Sequence, residues 1–93
     1  IAVTITADTR TIDGWVQGIV TDGKETYEFC AKVFDEKSIY GINNGRVSKL
    51  GVRYKTTPII NYDRGWDLRP EECYKPIYKA LMKTLKSLPK VAE

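Results

Sequence analysis

Residues 2–7 alternate, with Val3 and Ile5 on one side and Thr4 and Thr6 on the other. A period of two marks a strand with one wet face. Residues 14–21 carry Trp15, Val16, Ile19 and Val20 and predict a second strand, in which Gly14 and Gly18 signal a bulge or the close approach of another backbone. Thr21-Asp22-Gly23-Lys24 comes next. Asp-Gly between two β-rich runs predicts a hairpin, and a type I′ turn, because glycine accepts positive φ. The return strand, 25–35, has the clearest pattern: Tyr27, Phe29, Ala31 and Val33 share one face, Glu28, Cys30 and Lys32 the other, and Phe34 is an apolar exception.

A connection rich in Asp, Ser, Asn and Gly fills 35–45 and closes on the turn signal Asn44-Gly45. Residues 46–55 read as a strand, with Leu50, Val52 and Tyr54 facing one way and Lys49, Gly51, Arg53 and Lys55 the other. Thr56-Thr57-Pro58 predicts a turn, 59–62 a short last strand and 63–70 an irregular corner. The period then becomes helical. Tyr74, Ile77, Tyr78, Leu81, Leu85 and Leu88 recur at spacings of three and four and form one apolar stripe. Pro76 fits only in a first helical turn, because deeper it would remove a hydrogen bond and clash with the preceding turn. The main helix is therefore expected from about Lys75, with a short turn before it and Pro89 after it. Strands followed by a helix predict an α+β fold: an antiparallel sheet of four to five strands with one C-terminal helix packed on one face, in a single domain over 1–93.

Composition narrows the function. The chain has 93 residues and no histidine, which removes the commonest general base and metal ligand. No phosphate loop, zinc-protease, dithiol or dinucleotide-binding motif occurs. Asp35/Glu36 and Glu71/Glu72 are sequence neighbours, and adjacent side chains do not converge on one point. Cys30 and Cys73 are too few for a zinc site without histidine; they are expected as two reduced thiols of an intracellular protein, the alternative being one bridge between them. No catalytic residue, metal or cofactor is expected, and the protein is read as a non-enzyme. The absence of a long apolar run and of a leader-like segment predicts a cytoplasmic location.

The net charge of +3 hides segregation. Residues 1–36 hold three basic and seven acidic residues, and 37–62 hold five basic and no acidic ones. Residues 63–72 hold two basic and four acidic, and 73–93 five basic and one acidic. Lys75, Lys79, Lys83 and Lys86 form a row along the helix, either a solvated outer face or a surface for an anion. Lys49, Arg53 and Lys55 form a second basic face on the strand. Because the helix covers the apolar side of the sheet, the two are expected as separate patches.

The segment Asn61-Tyr62-Asp63-Arg64-Gly65-Trp66-Asp67 has two readings. Trp66 could plug the end of the core at a sheet-to-helix corner, or Tyr62, Asp63, Arg64, Trp66 and Asp67 could form a binding edge. Tyr40, and Trp15, could join that edge if the 35–45 connection folds over the same end. This segment, with Ala31-Lys32-Val33-Phe34-Asp35-Glu36, Ser38-Ile39-Tyr40-Gly41-Ile42 and Gly45-Arg46-Val47-Ser48-Lys49-Leu50, resembles a family of small uncharacterised proteins of Gram-positive bacteria, their phages and conjugative elements, over roughly residues 27–88. The resemblance implies an accessory protein of a mobile element and carries no catalytic residues with it.

Two functions are therefore expected. The first is a non-enzymatic interaction or regulatory module that meets a protein partner at the aromatic corner. The second is a single-stranded nucleic-acid binder using the basic helix and strand faces. An edge strand such as 2–7 could also pair with a second copy across a two-fold axis.

Overall fold

A computed structural model describes residues 1–91; the last two positions of the domain expected over 1–93, with Glu93 of the basic C-terminal segment, lie outside the described residues. Six strands form one antiparallel meander in sequence order: β1 (Ala2–Asp8), β2 (Trp15–Asp22), β3 (Glu25–Val33), β4 (Val47–Tyr54), β5 (Thr57–Asp63) and β6 (Trp66–Leu68). A 3-10 turn at Glu72–Tyr74 leads into α1 (Lys75–Lys86), with Pro76 in its first turn as expected. The expectation of four to five strands is corrected to six. The extra strand, β6, lies inside the corner read as irregular, where Trp66 pairs with Tyr62 and Leu68 with Asn61. Three residues between Gly65 and Arg69-Pro70 carry no period of their own; pairing with β5 makes them a strand.

The alternation sorts the sheet into two faces. Val16, Val20, Tyr27, Phe29, Ala31, Val33, Leu50, Val52, Ile60 and Tyr62 are buried against Ile77, Leu81, Met82 and Leu85 of α1. Val3, Ile5, Trp66, Tyr74, Tyr78 and Leu88 pack around this core, half-buried. Burying large apolar side chains is worth about 1.5–3 kcal/mol each, so the four from α1 supply a large part of the fold's drive. The other face is open. Its cross-strand rows run Trp15–Lys32–Lys49–Asp63, Gln17–Cys30–Gly51–Asn61 and Ile19–Glu28–Arg53. Cys30 lies half-buried on this face, and Cys73 is exposed; both are free thiols.

Two hairpin turns differ from their sequence reading. Asp22 pairs with Glu25, so the β2–β3 loop is Gly23-Lys24. Positive φ falls on Gly23 and not on Lys24, which is the II′ arrangement and not I′. In the β4–β5 turn Tyr54 pairs with Thr57, which moves Lys55 out of the strand. Lys55 (φ 47°) and Thr56 (φ 69°) both take the left-handed region that a I′ turn demands. Such a backbone costs an L-residue roughly 1–2 kcal/mol, and a β-branched one suits it worst. Thr56→Gly is therefore expected to raise stability by about 1 kcal/mol in urea unfolding, allowing for the greater freedom glycine gives the unfolded chain. An unchanged or lower midpoint would show that the turn is not strained.

The end of α1 is tied down by arginines. Arg46 Nε donates to Phe34 O (2.8 Å), and Nη1 donates to Leu88 O (2.6 Å) and Lys86 O (3.4 Å). Arg10 Nη1 donates to Pro89 O (2.8 Å) while its other nitrogens hold Asp8. Asp35 accepts the Val91 N–H (2.8 Å), and Lys90 pairs with Glu36 (3.0 Å). Arg46 thus reaches the last carbonyl of α1, and the other bonds fasten the 88–91 segment that follows it to the β1–β2 and 34–36 connections.

Candidate functional site

A β-bulge organises one end of the open face. Lys32 pairs with Lys49 and Val33 with Val47, so Ser48 has no partner on β3. Ser48 is buried, 5% exposed, and its hydroxyl reaches Lys32 O (3.5 Å). Its carbonyl accepts the Arg64 N–H (3.0 Å), which anchors the β5–β6 turn against β4. Arg64 has φ 59° in that turn, and its guanidinium lies over the Tyr40 ring, 4.5 Å from the centroid. Tyr40 is held from below: the buried Tyr62 hydroxyl donates to its carbonyl (2.8 Å), and its own N–H donates to Ser38 Oγ (3.1 Å). Across the gap the Lys32 ammonium sits 5.5 Å from the Phe34 ring centroid.

These parts enclose a concavity of about 340 Å³, lined by Lys32, Lys49 and Arg64, the rings of Phe34 and Tyr40, and Ser38 and Ser48. Asp63, 3.6 Å from Lys49, is the acid at its rim. Both residues keep substantial surface, 44% for Phe34 and 49% for Tyr40, and Ile39 beside Tyr40 is exposed too. Phe34 also reaches an adjoining concavity shared with Ile12. Three cations beside two accessible rings can hold an anion and a flat ring together, the anion by charge-assisted hydrogen bonds and the ring by stacking. Among the described residues no group of three or more His, Cys, Asp or Glu comes together as a metal site would need.

The residues proposed from sequence divide. Tyr40, Arg64 and Lys49 come together in the concavity, with Asp63 at the rim. Tyr62 faces the core. Trp66 is half-buried between Tyr62 (5.1 Å between centroids) and Tyr78 (5.7 Å), with Arg69 over it at 5.3 Å. Burial under this corner pushes the Tyr78 phenol above its usual value. Asp67 is exposed on β6. The corner thus divides between core and surface. Trp15 stands on the Lys32 row, three strands from Asp63, about 14 Å away at the usual strand spacing.

The basic strand face is also broken up. Arg53 pairs with Glu28 (3.5 Å) lower on the open face, and Lys55 lies over the Tyr54 ring in the hairpin turn (5.3 Å). Lys75, Lys79, Lys83 and Lys86 are exposed on α1, in the layer opposite the concavity. Lys75 donates to Glu72 (2.7 Å), a contact that lowers the Glu72 carboxyl's pKa. Lys32, Phe34, Ser38 and Ser48 were not legible as site residues. The available signal was Phe34, an apolar residue where the alternation calls for a polar one.

A family model described as a domain of unknown function (DUF7678) matches residues 14–86. The chain belongs to this family. The matched span runs from Gly14, just before β2, to the last residue of α1, so it includes every residue of the concavity and leaves out β1. No curated protein and no solved structure matches the chain. Among the described residues no helix is long and apolar enough to cross a membrane.

Proposed function

We propose that the protein is a non-enzymatic binding module whose open-face concavity takes single-stranded nucleic acid. The observation that carries this reading is the placement of Arg64 over the Tyr40 ring, and of the Lys32 ammonium over that of Phe34, around one hollow whose two aromatic residues are about half exposed. Unpaired bases stack on aromatic rings and guanidinium planes, while Lys and Arg hold the backbone. A duplex would not offer its base faces to such a hollow. The resemblance to small proteins of phages and conjugative elements supports an accessory role for such a module.

Fluorescence anisotropy with a short labelled single strand tests it. With three cations in the concavity, affinity is expected to fall roughly 20-fold between about 50 and 200 mM salt, from the single-strand counterion slope. Tyr40→Ala, which keeps the carbonyl that Tyr62 holds, is expected to weaken binding about 5- to 150-fold, as loss of one stacking platform does. Arg64→Gln is expected to weaken it further. Binding that ignores both substitutions but disappears with Lys79→Glu plus Lys83→Glu would move the site to the helix row.

A protein partner is the second reading, favoured by the exposed apolar residues Ile12, Phe34 and Ile39 beside the three cations. It predicts an acidic partner segment whose capture fails with Phe34→Ala while no oligonucleotide binds.

A further inference from the structure

We propose that β1 is a seam at which two copies of this chain join, antiparallel about Thr4, into one continuous sheet. Among the described residues β2 is the one strand paired with β1, so every second residue of β1 turns an N–H and a C=O outward. An edge of this kind pairs with another strand unless something blunts it. Residues 2–6, Ala-Val-Thr-Ile-Thr, contain no charge, proline or glycine, and all favour extended structure except the small Ala2. The protective features come after them: the register slips between Ile5 and Ala7, and Asp8 is held by Arg10. The opposite edge is different, since β6 has three residues and is followed at once by Arg69-Pro70.

The occupant is a second copy because the segment complements itself. A two-fold axis at Thr4 sets Thr4 against Thr4, Val3 against Ile5, and Ala2 against Thr6. Val3 and Ile5 are half-buried on the face covered by α1, so the pairing continues each copy's apolar face into the other's. Thr4 and Thr6 are exposed on the open face and meet threonine or alanine there. A foreign charged strand would find no matching charge over these five residues. Because β1 lies outside the matched 14–86 span, the seam is assigned to this chain and not to its family. The two concavities would then share the open face of one twelve-stranded sheet.

Sedimentation velocity over protein concentrations from about 1 µM to about 1 mM brackets the affinity of a small interface. The expected result is a mass that rises from one chain to two. Thr4→Lys, which puts two lysines face to face on the axis, is expected to hold the mass at one chain with an unchanged circular dichroism spectrum. Thr4→Asp alone is expected to do the same, and an equimolar mixture of the two variants to recover the two-chain mass. A wild-type mass of one chain at every concentration overturns the proposal. So does a dimer that Thr4→Lys leaves intact, which would place the contact elsewhere, or a mixture that stays monomeric.

Discussion

Gly18→Ala is expected to cost the fold about 3 kcal/mol or more, a large share of the roughly 5–14 kcal/mol available to a chain of this length. Gly18 lies in β2 on the buried face, opposite Ile5 on one side and Phe29 on the other. A β-carbon built there would collide with the Thr4 carbonyl oxygen and stand 2.8 Å and 2.9 Å from two atoms of the Phe29 ring. The ring could turn only into a packed core, and the carbonyl belongs to the neighbouring strand. Something has to shift, and β1, with one neighbour, is the element free to do so. Gly51→Ala is the control. Its β-carbon would meet Cys30 Sγ at 3.5 Å, an ordinary contact, and its cost should stay within about 1 kcal/mol. Urea unfolding of both variants decides: comparable midpoints would mean that the sheet absorbs the methyl without strain.

Arg46→Ala is expected to cost about 3–4 kcal/mol, since hydrogen bonds to a charged group are worth about 1.5–3 kcal/mol each and their loss strands carbonyls at a packed helix end. The fork matters as well as the charge. Nε and Nη1 reach Phe34 O and Leu88 O at once, and Nη2 is buried with no hydrogen-bond partner among the described residues. A lysine presents one point charge and cannot span both carbonyls, so Arg46→Lys should recover less than half of the loss. Amide exchange in the last turn of α1 and at Phe34 should accelerate in both variants. If Arg46→Lys restored full stability, the contribution would be one of charge at the helix C-terminus alone.

What was legible in the sequence follows from period. The alternation of Tyr27, Phe29, Ala31 and Val33 and the three-and-four spacing of Ile77, Tyr78, Leu81 and Leu85 are local signals, and they placed the central strands, the helix and the buried face. The proline rule placed the start of α1 at Lys75. What was missed depends on neighbours that sequence does not bring together. β6 exists because Trp66 and Leu68 find β5. Lys55 left the strand because the β4–β5 register put a two-residue turn there. Arg46 reads as the first residue of a strand, and its role depends on a helix end forty residues away. For the candidate site, Tyr40, Arg64 and Lys49 were named in two separate groups, and only the bulge at Ser48 and the turn at Arg64 bring them to one hollow.

The ties at the end of α1 bear on the order in which the chain assembles. Two pairs of neighbouring strands meet across two-residue turns, β2–β3 and β4–β5, while β3 and β4 are joined by the longer 34–46 connection. The Arg10–Pro89 bond instead joins positions 79 apart. By loop-closure entropy, bringing those ends together costs about 2 kcal/mol more than closing a loop of roughly ten residues. The two tight hairpins close short loops, whereas the Arg10–Pro89 tie closes only with nearly the whole chain in place. A sheet without its helix would leave the buried face in water beside the β1 edge, and closure of α1 withdraws that apolar face, though not the edge, from encounters with other chains.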